Sequence, residues 1–287
     1  MIALRSNPTT PAFQGDKLRE LSKRLVDAQK EIRLGTREKH KFDSKVWKKA
    51  RTQLLAEAHD KCAYCEAPTA VVTYGDIEHY RPKSKYWWQA YSISNYLVSC
   101  AICNQRFKKD KFPIDGRKWR APAVRRNSSQ ATLSRIIDEL VPEPTDPAAV
   151  AAFATLHAEE KPRLLNPYFT DPSEVFAWKA DPNAEEVELV PIPGDPVSER
   201  YVEAAIEIYG LDRRQLRALR YFTFSSYLTH KLTLMDGGIS AETRRRNENQ
   251  VQLMTRDRHP FAGMIRFFES IGGQADWLRG GYLVEAL

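Results

Sequence analysis

The sequence predicts an α+β protein that is mostly α, with a small metal-stabilised β-hairpin core set between helical segments. Three observations lead there. Apolar residues recur at helical spacing near both ends of the chain, and this periodicity stops between Cys62 and Pro113, where all four cysteines lie as two C-x-x-C pairs. Further on, two β-prone runs flank the polar insert Asp181–Glu186, which predicts a second hairpin.

Taken in order, Leu18, Leu21, Leu25, Val26 and Ile32 fall close to a helical period between Asp16 and Arg33. A second helix is expected after Asp43, whose carboxylate suits an N-cap, running through Val46, Trp47, Leu54 and Leu55 to Ala58. Its many cations could meet phosphates or form a solvated face. The stretch Ala70–Tyr74 is β-prone, Ala121–Gln130 reads as a link, and short helices are expected near Leu133–Leu140 and Ala148–Glu159. The runs Leu164–Trp178 and Val187–Ile192 are the β-prone pair. After Gly194-Asp195-Pro196 the pattern is helical again, through Ala204, Ile206, Ile208 and Leu211 and then Leu216–Leu234. The chain therefore divides into a basic helical region over 1–60, a core over 61–127 and a mostly helical region over 128–287.

The formal charge of the 287 residues is +7, but it is unevenly spread. Residues 1–127 carry 27 basic and 13 acidic side chains, an excess of 14, whereas residues 128–287 carry 17 and 24. A polyanion such as DNA would be drawn to the first part, because neutralising its phosphates releases counterions. No run approaches the ~18 apolar residues of a membrane span, and the opening residues lack an apolar stretch of signal-peptide length. A cytoplasmic protein without a membrane partner is expected.

Cys62-Ala-Tyr-Cys65 and Cys100-Ala-Ile-Cys103 are separated by 34 residues and leave no cysteine over. Each pair can present two thiolates from a tight knuckle, and two knuckles complete the sulfur tetrahedron that Zn2+ prefers. Four protein ligands leave no open position, so this zinc is expected to be structural, tying the chain near residue 62 to that near 100. Disulfides are the alternative, and a reducing compartment disfavours them.

Inside the loop so closed lies Asp76-Ile-Glu78-His79-Tyr-Arg81-Pro82. Asn95 stands five residues before Cys100, Asn104 directly follows Cys103, and Lys108 comes shortly after. This constellation resembles the HNH endonuclease motif in its zinc-knuckle form, over roughly residues 62–113. The resemblance implies a ββα-metal core, a β-hairpin followed by a helix. His79 would be the general base that deprotonates water, a role an imidazole suits near neutral pH. Glu78 and Asn104 would hold a catalytic divalent cation such as Mg2+, with Asp76 as the reserve ligand, since alternation puts Asp76 and Glu78 on one strand face and His79 on the other. Asn95 would brace the hairpin loop. Cleavage would leave 5′-phosphate and 3′-hydroxyl ends. Arg81, Lys83, Arg106, Lys108 and Lys109 surround the motif as candidate phosphate contacts, with Tyr80, Tyr86, Trp87 and Trp88 interleaved as stacking or packing residues. The other histidines, His40, His59, His157, His230 and His259, have no such company.

A narrower resemblance runs to about residue 220. The segments KCAYCE, IEHYRPKS, SCAICN and KFP, then LLNPYFTDP and AAIEIYGLDRRQLRALR, are similar to the HNH nuclease subunits of Septu-type anti-phage systems and their retron-associated relatives. That resemblance implies a nuclease acting on DNA together with a separate ABC- or SMC-like ATPase encoded nearby. The chain has no G-x-x-x-x-G-K-[ST] loop of its own. A zinc-stabilised module that binds nucleic acid or assembles without cutting is the alternative function.

Overall fold

Helix α1, Gly15–Leu34, opens the regular structure of the computed structural model, which describes residues 1–71, 73–272 and 282. It buries Leu18, Leu21, Leu25 and Val26 and ends where Gly35 takes a φ of 82°, the left-handed stop favoured by glycine. Asp43 caps the next helix as expected, accepting the Lys45 amide at 2.9 Å. The expected single helix is two short ones, α2 (Ser44–Lys48) and α3 (Arg51–Glu57).

Strand β1 (Asp76–His79) pairs antiparallel with β2 (Tyr96–Ser99), Asp76 opposite Ser99 and His79 opposite Tyr96. The described part of Ala70–Tyr74 is not strand but turn. Thr69 and Ala70 both donate to the Asp60 carbonyl and Thr73 donates to Thr69, so local backbone acceptors take the amides a strand would need. Gly75, at φ 67°, then redirects the chain into β1, and a β-carbon there would sit 2.7 Å from Val98. After β2 comes a π-helical turn, Ile102–Lys108, closed by the Lys109 amide on the Asn104 carbonyl at 2.8 Å. Such widened turns are frequent at functional sites.

Helices α4 (Gln130–Glu139) and α5 (Pro147–Glu160) form where expected, capped by Ser129 and Asp146. Of the first β-prone run, only the end becomes strand. Leu164–Phe176 loops through a 3-10 turn at Pro172–Glu174, and the hairpin joins β3 (Ala177–Asp181) to β4 (Glu186–Val190). The prolines and the Asp171 side chain, which caps the 3-10 turn, account for the lost strand. Helices α6 (Pro196–Tyr209), α7 (Arg214–Met235), α8 (Ala241–Met254) and α9 (Ala262–Ser270) complete an α+β architecture that is mostly α.

Packing covers both hairpins: α3 lies against β2 and α6 against the π-helical turn beside the first, and α7 lies against β4 and α9 against β3 of the second. Buried apolar side chains from all three sequence regions, Leu25, Val98 and Phe224 among them, belong to one cluster. No helix among the described residues is long and apolar enough to cross a membrane.

Candidate active site and metal centre

The four cysteine sulfurs lie within 4.8 Å of one another, the only such group of three or more His, Cys, Asp or Glu among the described residues. None is in a disulfide. Cys65 Sγ and Cys100 Sγ are 3.9 Å apart, close to the ~3.8 Å edge of a tetrahedron with ~2.3 Å zinc–sulfur bonds. The Cys103 amide points at Cys100 Sγ, 3.4 Å away, as donors around a thiolate cage do. The donor set therefore fits a structural zinc. Hydrogen bonding among the sulfurs, Cys100 foremost, holds the Cys65 thiol well below its ordinary range, while burial pushes Cys62 well above it. The first knuckle is shaped by Glu66, at φ 60°, whose buried carboxylate takes the Lys61 ammonium at 3.0 Å.

Next to the cage, the two faces of β1 carry different chemistry. Asp76 and Glu78 face the π-helical turn. Asp76 Oδ2 accepts from Gln105 Nε2 at 2.8 Å and lies 3.4 Å from Asn104 Nδ2. Glu78 pairs with Lys108, whose Nζ also donates to the His79 carbonyl at 3.1 Å. Burial pushes the Glu78 carboxyl up, against the pull of Lys108. His79 faces the other way, edge-on to Trp47 of α2 and to Tyr96 with centroids 5.0 and 4.9 Å apart. Its Nε2 lies 3.0 Å from the Ala90 carbonyl. Burial, with Lys83 and Lys108 nearby, pulls its pKa down to about 3, so the ring is neutral at physiological pH.

Asn95 is fully buried and clamps the segment that follows His79. Its Oδ1 accepts the Arg81 amide at 2.8 Å, and its Nδ2 donates to the Arg81 and Gln89 carbonyls at 3.0 and 3.3 Å.

Two of the expected phosphate contacts are interior residues instead. Arg81 is 0% exposed; its Nε donates to Glu160 at 2.6 Å, and the rings of Tyr80, Phe112, Trp119 and Phe153 surround it at 5.1–5.8 Å. The Asn95 clamp fixes its backbone and α5 supplies its carboxylate, so the side chain points inward. Lys108 is likewise 0% exposed, held by Glu78. Tyr80, Tyr86 and Trp88 are core residues, unavailable for base stacking, and half-buried Trp87 stacks on His40 at 4.9 Å. Lys83 is half-buried with its ammonium 5.4 Å from the Trp47 ring, and Arg106 and Lys109 are exposed on the π-helical turn.

Sequence reasoning missed three contributors. Trp47 covers His79, and nothing in a basic helix marks it. Glu160 joins Arg81, the Tyr86 hydroxyl at 2.8 Å and the Trp119 amide at 2.9 Å. Arg213 reaches the cage itself, with Nη1 3.7 Å from Cys103 Sγ; the dense arginines of Arg213–Arg220 were its only signal.

Over 225 residues the chain is 27% identical to the Septu protein PtuB of Bacillus mycoides (strain KBAB4). The chain is PtuB-like. The match takes in 74% of this chain and spans 63% of the length of that relative. No family model matches the PtuB-like chain, and no solved structure does.

Proposed function

We propose that this chain is a metal-dependent HNH endonuclease that hydrolyses DNA phosphodiester bonds, serving as the nuclease of a Septu-type anti-phage complex under the control of an ATPase partner. The similarity to PtuB supports the defence setting. The observation that carries the chemistry is the hairpin itself, whose strand β1 presents two carboxylates and the Asn104 amide on one face and a neutral histidine on the other, braced by Asn95 and anchored to the cysteine cage.

A carbonyl only accepts, so the Ala90 contact assigns the proton to Nε2 of His79 and leaves the Nδ1 lone pair to take a proton from water. Trp47 and Tyr96 fix the ring plane. Lys83, near both His79 and Glu78, suits a phosphate oxygen. Asp76 and Asn104 would hold the catalytic cation, with Glu78 behind them; half-buried Asp76 is more available than Glu78, which Lys108 already neutralises. Hard divalent ions commonly take one or two carboxylates and keep several waters, so this donor set fits one. When bound, that ion supplies charge neutralisation at the scissile phosphate and the leaving oxygen. Exposed Arg106 and Lys109 extend the positive surface along the DNA.

The test uses the chain co-purified with its ATPase partner, plasmid DNA and Mg2+. His79→Ala should lower cleavage by a factor of about 100 or more at unchanged zinc content, and Asp76→Asn should raise the Mg2+ requirement more than Glu78→Gln does. Full-rate cutting by the His79→Ala complex sinks the mechanism. The second reading, a non-cutting zinc module that binds nucleic acid, is favoured by the burial of His79, only 6% exposed. It expects DNA binding with no cleavage in any nucleotide state of the partner.

A further inference from the structure

The corner between α6 and α7 is built against the cysteine cage. Tyr209 stacks on Tyr64, the residue before Cys65, with centroids 3.9 Å apart. Gly210 turns the chain at φ 65°, and a β-carbon there would lie 2.6 Å from the Phe107 ring, so its backbone is pressed onto the π-helical turn. Arg213 Nη1 then donates to the Gly210 carbonyl at 2.8 Å while approaching Cys103 Sγ at 3.7 Å.

Two turns along α7, Arg220 is 1% exposed and lies over Trp178, 4.6 Å from the ring centroid. Its Nε and Nη1 have no hydrogen-bond partner among the described residues. Arg217, on the same helix, shows the contrast: it is paired with Glu186, Glu188 and Asp212 at 2.9–3.5 Å. A guanidinium buried without a counter-charge is strongly unfavourable. The negative groups acting on Arg220 include Cys65, Asp212 and Glu66, and the arginine in contact with a cage sulfur is Arg213. Four thiolates around Zn2+ leave a net charge of about −2.

We propose that Arg213 is a counter-charge of the metal centre, so that the α6–α7 corner completes the zinc site and zinc occupancy and docking of that corner form one coupled equilibrium. The proposal rests on the four-thiolate zinc reading and is independent of the nuclease chemistry. Loss of the ion would free the two knuckles that Tyr209, Gly210 and Arg213 pack against and loosen the corner.

The experiment follows zinc transfer from the full-length chain to a chromogenic chelator, with hydrogen exchange over residues 205–222. Arg213→Gln should speed zinc release about tenfold, the scale of outer-ligand effects, with Arg213→Lys recovering part of the loss. Arg217→Gln should release zinc at the wild-type rate. In wild-type protein, stripping the zinc should raise exchange in 205–222 while α1 stays protected. Should Arg213→Gln fail to fold, Arg213→Lys and the wild-type exchange comparison decide the matter. Zinc-loaded variants that release at the wild-type rate, or an α6–α7 corner equally protected without zinc, overturn the coupling alone. Wild-type protein that binds no zinc removes the zinc reading and the coupling with it.

Discussion

In the β3–β4 hairpin, burial alternates. Val187 and Leu189 face the core while Glu186, Glu188 and Val190 are half-exposed, and across the register Lys179 and Asp181 do the same around Ala180. In β1–β2 it does not: every residue from Ile77 to His79 and from Tyr96 to Ser99 is buried, three of them aliphatic and the others Glu78, His79, Tyr96 and Ser99. The later hairpin has one solvated face and needs only period-two patterning to hold its register. The earlier one is covered on both faces, by the π-helical turn with Lys108 and by Trp47, so its polar groups must find partners inside the protein. One hairpin is held by apolar packing. The other is held by a four-cysteine cluster, an asparagine clamp and a buried ion pair.

Removing the cage should separate the two hairpins most. Structural zinc contributes about 10–16 kcal/mol in small cysteine sites. Chelation should therefore abolish amide protection in β1–β2 while β3–β4 keeps a large part of its own, read by hydrogen exchange on the same sample. Equal loss in both would make them a single cooperative unit and erase the distinction.

Next in size is the clamp. Asn95→Ala leaves the Arg81 amide and two carbonyls without their partners in a fully buried setting, and each such loss costs about 1–3 kcal/mol. A drop of about 3–5 kcal/mol in urea-unfolding free energy is expected. A drop under about 1 kcal/mol would mean the loop holds itself.

The contrast also explains what could be read from the sequence. Hairpin β3–β4 and helices α1, α4, α5, α6 and α7 were legible because apolar periodicity, and before α6 the Gly194-Asp195-Pro196 turn, act locally. The four cysteines and Asn95 were legible through spacing, since a metal cage and a two-ended side-chain clamp fix the distance along the chain. The inward turn of Arg81 and Lys108 was not. Their carboxylate partners, Glu160 and Glu78, stand 79 and 30 residues away, and a cation near a nuclease motif looks the same in sequence whether it meets phosphate or a buried glutamate. Trp47 over His79 and Arg213 against Cys103 are long-range juxtapositions of the same kind, decided by tertiary packing.

On the apolar hairpin the expected effects are smaller and depend on the face. Val187→Ala removes a side chain that is 0% exposed and should cost about 2–3 kcal/mol through lost burial and the space left behind. Lys179→Ala, one position along the paired strand from the residue opposite Val187, should change stability by no more than about 0.5 kcal/mol. Thermal unfolding of both variants checks this. A costly Lys179→Ala would mean the outer face is covered after all.

A further effect depends on pH and belongs to the side of the molecule that carries β1–β2. His157 of α5 is buried against Tyr80 and Phe169, with ring centroids 5.7 and 4.4 Å away. Burial, with Arg81 alongside, lowers its pKa from 6.5 to about 3. Between those two values the unfolded chain binds a proton that the folded chain refuses, so stability declines as pH drops through about 6.5 and levels off only near the lower value. At pH 5 this one ring accounts for about 1–2 kcal/mol. His157→Phe keeps an aromatic ring in the cluster and removes the titrating group, whose Nδ1 has no partner among the described residues. The variant should match wild type in urea midpoint at pH 7.5 and exceed it at pH 5. If the two proteins lose stability in parallel between those pH values, His157 is not the group that titrates, and acid lability comes from other histidines whose pKa burial lowers, buried His79 and half-buried His40 among them.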